Sequence, residues 1–260
     1  MLSVAVRAQA LWTPACPGWE QASPALRGGP VGSTVASGRP APRLLAANER
    51  RRAPDSVLMA LQVAEDACAA AGVDPATLPS VFSSAHGDLA IVDALCRTLA
   101  DNPLLLSPMR FHHSVHNAAS GYWAIGCRSH EASTAVAGGA HSFAAGLLEA
   151  LTQCAAEGRS VLLVGCDTEA LGPLQSVNHS RGLLAVALVL APTGGRRLGW
   201  ALQPGPAVAP PLRSALAQGL QAHAMADALP LFEALADSGS TALTLPLSAT
   251  LGLQLQLAPA

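Results

Sequence analysis

The segment that begins at Leu183 reads LLAVALVLAP, with no charged residue in it. It is too short to cross a bilayer, so the fold itself has to bury it. The surrounding sequence shows how. SVLLVGCD (residues 160–167) reads as a second buried strand and SVFSSA (80–85) as a shorter one, while RLGWALQ (197–203) follows LLAVALVLA after the turn PTGGR. Helical patterns separate the earlier strands. PDSVLMALQVAEDACAAAG places Val57, Leu61, Ala64 and Cys68 on one stripe and stops at Gly72, and two further helices are predicted at 89–100 and 141–157. With a weakly alternating first strand in residues 1–15, the order is β, α, β, α, and buried strands alternating with helices argue a layered α/β fold.

The remaining segments are less regular. Residues 16–42 are rich in Pro, Gly and Ser and read as loop. From residue 204, PGPAVAPP leads to a helical segment over 212–236. The tail places Leu at 243, 245, 247, 251, 253, 255 and 257, the period of a half-buried strand with break points at Pro246 and Gly252. Residues 1–203 are therefore expected to form an α/β domain, and 204–260 a helix-plus-strand extension packed on it.

Composition excludes several functions. All fifteen basic residues are arginine and the net charge is −2, which provides no basic field for nucleic acid. Half the residues are apolar and 12% charged, with a mean hydropathy of +0.34, a composition that suits a large surface buried against a partner. Six cysteines without paired short spacing suggest neither a zinc ribbon nor a disulfide framework, and point to a reducing cytoplasm. In MLSVAVRAQALW the basic residue lies inside a short apolar run, so no signal peptide is expected.

One stretch carries the chemical question. EASTAVAGGAHSFAAGLL (131–148) runs from a short strand through small residues into an alanine-rich helix. Such a turn holds a side chain at the positive end of the helix, where a thiolate is stabilised. Here it holds Val136, which has no lone pair to offer. Ser133, Thr134 and Ser142 are near in sequence, but strand alternation and the helix phase put none of them in the same place.

Other candidates have alternative meanings. His112, His113 and His116 in HHSVH include imidazoles one turn apart that can share a metal ion, but no acidic or cysteine ligand lies nearby, so no metal or cofactor is predicted. Cys166 is either an inert packing thiol or a reactive one. His141 is either a base or a polar contact at an interface. The run Arg50, Arg51, Arg52 is either a solvated helix end or a surface for an acidic partner. Tyr122 and Trp123 belong to the core or to an interface, since no basic stripe accompanies them.

Taken in order, ERRR before the first long helix, SVFSSAHGD, HNAASGYWAIG, STAVAGGAHSFAAGLLEA and SVLLVGCDTE resemble the N-terminal half of a β-ketoacyl synthase of the thiolase-like superfamily, over residues 49 to about 190. The resemblance implies an α/β, thiolase-like layered α/β/α half-fold with a mixed sheet. Active members carry an acylated cysteine where Val136 stands, and condensing members take two histidines from a second half in glycine-rich settings. After His179 this chain has only His223, in LQAHAMAD, without that frame. The chain is therefore most similar to the small chain-length-factor-like subunits of aryl polyene type II pathways. That likeness implies a non-catalytic partner of an active β-ketoacyl-[acyl carrier protein] synthase in polyene, polyketide or fatty-acid-type biosynthesis. Subunits of this superfamily pair through the strand before the nucleophile, which puts Ser133, Thr134, Ala135, Val136 and His141 at the partner interface. Phe111, His112, His113, His116 and Asn117 then face the partner or its acyl tunnel, and Arg50, Arg51 and Arg52 meet the acyl carrier protein. Two other readings stay open. One is an acyltransferase or hydrolase using Cys166 or a serine, although AHSFA has alanine where a G-x-S-x-G elbow needs glycine. The other is a docking scaffold for a carrier protein.

Overall fold

In a computed structural model that describes residues 1–32 and 38–260, the run at 184–191 forms a strand buried at all eight positions. Leu184, Val186, Leu188 and Leu190 point into one core, and Ala185, Ala187 and Val189 into a second core on the other face. The small residues matter. They let a long helix, itself studded with alanine, lie close on that face.

The chain begins with β1 (Leu2–Trp12), α1 (Trp19–Leu26), α2 (Ala47–Arg52) and the long helix α3 (Asp55–Ala71). It continues through β2 (Ser80–Ser83), α4 (Leu89–Asp101), α5 (Pro108–His113), α6 (Ala118–Cys127), β3 (Ser133–Val136), α7 (Ser142–Glu157) and β4 (Val161–Asp167). The buried strand is β5 (Leu184–Ala191); β6 (Arg196–Pro204), α8 (Ala215–Gly219), α9 (Leu229–Ala236), β7 (Thr241–Ser248) and β8 (Leu251–Leu257) complete the chain. The strands form one eight-stranded sheet in the order β3-β2-β4-β5-β1-β6-β8-β7. β3, β2 and β4 run parallel, and every other neighbouring pair is antiparallel, so the sheet is mixed. Residues of α1, α7, α8 and α9 fill the core on one face, and residues of α3 and α6 that on the other, giving α/β/α layers. No helix among the described residues is long and apolar enough to cross a membrane.

Several expectations need correcting. Residues 16–42 are not all loop: Ala22, Ala25 and Leu26 of α1 are buried in the core, while residues 33–37 of that stretch lie outside the described residues. LLAVALVLA and RLGWALQ follow one another in sequence, as read, and the sheet places β1 between them, an order on which the sequence reading makes no statement. Their turn crosses over β1 at Gly195, where a Cβ would collide with the Val6 carbonyl, and β1 bulges beside it, between Val6 and Ala8. α3 is buried nearly all round and not on a single stripe, since the sheet covers one side and residues 43–44 cover another. Glu65 holds that segment by accepting the Arg43 and Leu44 amides. The helix expected over 212–236 is broken into α8 and α9. The expected single tail strand is a hairpin, β7 and β8, that turns at residues 249–250 and not at Pro246 or Gly252. Its leucine alternation does set the buried face: Leu243, Leu245, Leu253, Leu255 and Leu257 all enter the core.

Arg196, the first residue of β6, fastens this C-terminal part. Its guanidinium donates to the carbonyls of Ala258 (2.7 Å), Ala234 (3.1 Å), Leu235 (3.3 Å), Asp237 (2.6 Å) and Gly239, so it caps the C-terminus of α9. All eight residues of α9 are buried, which leaves its last carbonyls few other donors. Arg196→Ala is expected to cost about 2 to 3 kcal/mol in urea unfolding, because several bonds to a charged donor are lost together. A loss below about 0.5 kcal/mol would show that water replaces the guanidinium freely.

Candidate functional site

β3 is four residues long and pairs only with β2, from Ser80 opposite Ser133 to Ser83 opposite Val136, so its other side is the open edge of the sheet among the described residues. Thr134 and Val136 point toward α7: Gln153 Nε2 donates to Thr134 Oγ1 at 3.3 Å, and Val136 packs against the core. Ser133 and Ala135 are exposed on the opposite face, with Ser133 Oγ accepting from Ser80 Oγ at 3.0 Å. Ala137, Gly138, Gly139 and Ala140 are all exposed, Gly139 takes a φ of 58°, and His141 is half-buried as the chain enters α7.

The head of α7 is closed by groups from this chain. Ser142 Oγ accepts the Gly138 amide (3.0 Å) and donates to the Gly139 carbonyl (2.8 Å), and Ser83 Oγ donates to the Ser142 carbonyl. Gly146 lets α7 sit against β2, since a Cβ there would lie 2.7 Å from Ser83 Cβ. Asp227 accepts the Ala144 amide at 3.1 Å, which places a carboxyl group at the positive end of the helix. Burial outweighs these donated amides and pushes its pKa up to about 7.

Beside the turn, the C-terminal ends of β2, β3 and β4 meet in a polar network. The Ser84 amide donates to the Val136 carbonyl at 3.1 Å. Ser84 Oγ donates to Asp167 Oδ1 at 2.7 Å, and the amides of Ala85 (2.7 Å) and His86 (3.1 Å) also donate to that carboxylate. Asp167 is fully buried, and its pKa is raised by burial against the pull of those donors. Its carbonyl accepts from His223 Nε2 at 3.1 Å, while His223 Nδ1 accepts the Met225 amide at 3.0 Å. Those two bonds fix the neutral Nε2–H tautomer, and burial lowers the His223 pKa to about 4. His116 Nε2 donates to the Ser84 carbonyl at 2.9 Å.

The histidine stretch therefore has separate partners. His113 is buried, with Nε2 2.8 Å from the Tyr122 hydroxyl, and burial, then the neighbouring His112, lowers its pKa. His112 is exposed, and Asn117 starts α6 without a side-chain cap. Among the described residues, no three His, Cys, Asp or Glu side chains are grouped to hold a metal ion. Phe111 is 60% exposed, and Leu104, Leu105 and Met109 are exposed in the same stretch of chain. Cys166 lies within β4; its Sγ is 3.3 Å from the Ser56 carbonyl, and burial holds its pKa well above the usual thiol range, so it is a poor nucleophile. On α2, Arg50 donates to the Pro42 carbonyl at 3.1 Å, while Arg51 and Arg52 are exposed.

A profile of the family described as beta-ketoacyl synthase, N-terminal domain, matches residues 20–248. The chain belongs to this family. The match extends well past residues 49–190 and includes most of the C-terminal part that the sequence motifs leave unassigned. No curated protein sequence matches. Among solved structures, a ketosynthase in complex with its chain length factor (ApeO and ApeC) from Xenorhabdus doucetiae is similar with a TM-score of 0.72 and 20% identity over 98% of this chain and 99% of that one. The structure described as AntDE:AntF, a type II polyketide synthase acyl-carrier protein with its ketosynthase, gives 0.73 and 10% over 99% of both chains. The ishigamide ketosynthase/chain length factor gives 0.68 and 14% over 100% of this chain and 99% of that one. The fold is thus thiolase-like, as the resemblance implies.

The motifs missed Ser84, Asp167 and Asp227, and they registered His223 only for its lack of a glycine-rich frame. Asp167, a carboxylate ending an apolar strand in VGCDTE, was the available signal, because a buried acid has to find donors.

His223 and Asp227 pull the pH dependence of stability in opposite directions. His223 falls from 6.5 to about 4 on folding, so its contribution is full above pH 6.5 and is lost as pH falls through 4. Asp227 rises from 3.8 to about 7, so its contribution is full below pH 3.8 and is lost as pH rises through 7. Asp227→Asn keeps an acceptor for Ala144 without the charge, so its melting temperature relative to wild type should climb steadily from pH 4 to pH 7. A constant offset across that range would mean that Asp227 titrates normally.

Proposed function

We propose that this chain is a chain-length-factor-like subunit without a nucleophile of its own, which pairs through β3 with an active β-ketoacyl synthase and helps shape that partner's acyl tunnel. The observation that carries this reading is Val136, an unreactive side chain at the head of α7 in a strand whose outer edge is open. The polar groups around it are committed elsewhere: Ser142 to the turn, Ser84 to Asp167, and both nitrogens of His223 to the backbone. The exposed small residues 137–140 suit close packing of a second backbone. The fold-level likeness to chains from complexes with a chain length factor supports the same assignment. Aryl polyene biosynthesis is the setting we favour. Acyl carrier protein meets the complex, with Arg50, Arg51 and Arg52 as its contact on this subunit.

Co-expression with the ketosynthase encoded beside it, followed by size-exclusion chromatography, should give one heterodimer. By linkage, that heterodimer should melt above the isolated chain. Elution of two separate, stable, well-folded proteins would refute the pairing.

Phe111 tests the tunnel. Its exposure removes it from the core, so truncation avoids the ~3 to 5 kcal/mol cost of emptying a buried phenylalanine site. Phe111→Ala in the assembled complex is expected to shift products toward longer chains, each further CH₂ gaining about 0.8 kcal/mol where the tunnel has been opened. An unchanged product distribution by mass spectrometry from an intact complex would take Phe111 out of the tunnel wall.

A further inference from the structure

α5 is six residues long, and His113 is the only one of them that is buried. Pro108, Met109, Arg110, Phe111 and His112 are all exposed. No apolar side chain of α5 enters the core, and a helix this short has little stability of its own. A polar contact holds it instead. His113 Nε2 lies 2.8 Å from the hydroxyl of Tyr122, the one tyrosine of the chain, with the two rings 5.8 Å apart and inclined at 48°. Among the described residues, no other side-chain hydrogen bond joins α5 to a different element; the next anchor, His116 to the Ser84 carbonyl, fastens the segment that follows. Tyr122 is a firm point of attachment, because it packs against the second core from α6 and the adjacent Trp123 is buried there. Residues two apart on a helix do not share a face, so holding His113 inward turns Phe111 outward.

We infer that His113 and Tyr122 are positioning residues, whose hydrogen bond sets how far α5 carries Phe111 toward the partner and thereby the length of chain that the partner's tunnel admits. This rests on the tunnel role proposed for Phe111 and names the groups that regulate it. Both residues act through Phe111, without touching the acyl chain.

Products of the complex co-expressed with the neighbouring ketosynthase, measured by mass spectrometry, test it. Tyr122→Phe keeps the ring and removes only the hydroxyl; the ratio of longer to wild-type-length products should rise at least twofold. Combining it with Phe111→Ala should add nothing to the effect of Phe111→Ala alone. His113→Leu should act like Tyr122→Phe, whereas His113→Gln, whose amide can still bond the hydroxyl, should bring the ratio back to that of wild type. In the isolated full-length chain, tryptic cleavage after Arg110 should be at least fivefold faster with Tyr122→Phe. Unchanged products from an intact Tyr122→Phe complex, additive effects with Phe111→Ala, equal effects of His113→Leu and His113→Gln, or unchanged cleavage would overturn the inference and leave the partner assignment standing. Loss of the complex with Tyr122→Phe but not with Phe111→Ala would overturn it too, since the bond would then serve assembly. Failure of the wild-type chain to pair at all removes the partner assignment, and this inference with it.

Discussion

β1 pairs antiparallel with β5 on one side and β6 on the other, so the first strand of the chain completes a ladder with residues 185–200. β5 and β6 are joined by a short turn, yet they are held two strand spacings apart, roughly 10 Å. Without β1 the facing backbone groups of both would be buried and unpaired, a cost the fold cannot absorb. The same strand joins two different sheets in character. Toward β3 the sheet becomes parallel and carries the site; toward β7 it is antiparallel, in the order β6-β8-β7, and carries the C-terminal segment. Gly195 follows from this arrangement, because a turn that passes directly over β1 leaves no room for a side chain. Closing so distant a pairing is entropically expensive, so β1 depends on the ladders it completes with β5 and β6.

The second junction is polar. Asp167 ends β4, gathers the residues after β2 through its carboxylate, and receives His223 from the C-terminal segment through its carbonyl. Asp227, four residues beyond His223, reaches the head of α7. Asp167 and His223 are buried here with donors and acceptors in place, whereas Asp227 keeps one buried carboxyl oxygen, Oδ1, without a partner, in line with its raised pKa. The outcome is a site whose geometry is fixed jointly by the ends of β2 and β4 and by the C-terminal segment. The positive end of α7, which would otherwise stabilise an anion, already faces an internal carboxyl group.

The layered fold was legible because its strands are either uniformly apolar, as in β4 and β5, or strictly alternating, as in β7 and β8. Those two patterns report burial on two faces and on one. Strand order was not legible. Nothing in MLSVAVRAQALW states that it lies between LLAVALVLA and RLGWALQ, since pairing is a long-range property. α1 was hidden by Pro24 inside it and by the Gly-rich sequence around it, and packing of Ala22 and Leu26 overrode that weak propensity. At the site, Val136 was visible because one side chain stands out against a small-residue turn. Asp167 left a signal only as an acid ending a buried strand, and Asp227 left none, because a single acid in AMADALP looks the same whether it reaches a helix end or faces water.

The two ends of the sheet are finished differently. β7 carries Pro246, which has no N–H to offer a further strand, and its register slips between Pro246 and Ser248. β3 has none of these devices. STAV is uncharged, free of proline and flat in register against β2, and Glu131, the nearest acid before it, is drawn away to Arg159 at 2.8 Å. A short edge of this kind presents backbone donors and acceptors without a guard, and the exposed alanines and glycines after it add no bulk to keep another chain away. Protecting one edge while leaving the other open is costly for a chain that functions alone, because open edges recruit other strands indiscriminately. It is economical for a chain that always meets a partner there. That asymmetry, together with a valine where an acylated thiol would demand space and solvent access, favours a surface shaped for docking over one shaped for chemistry.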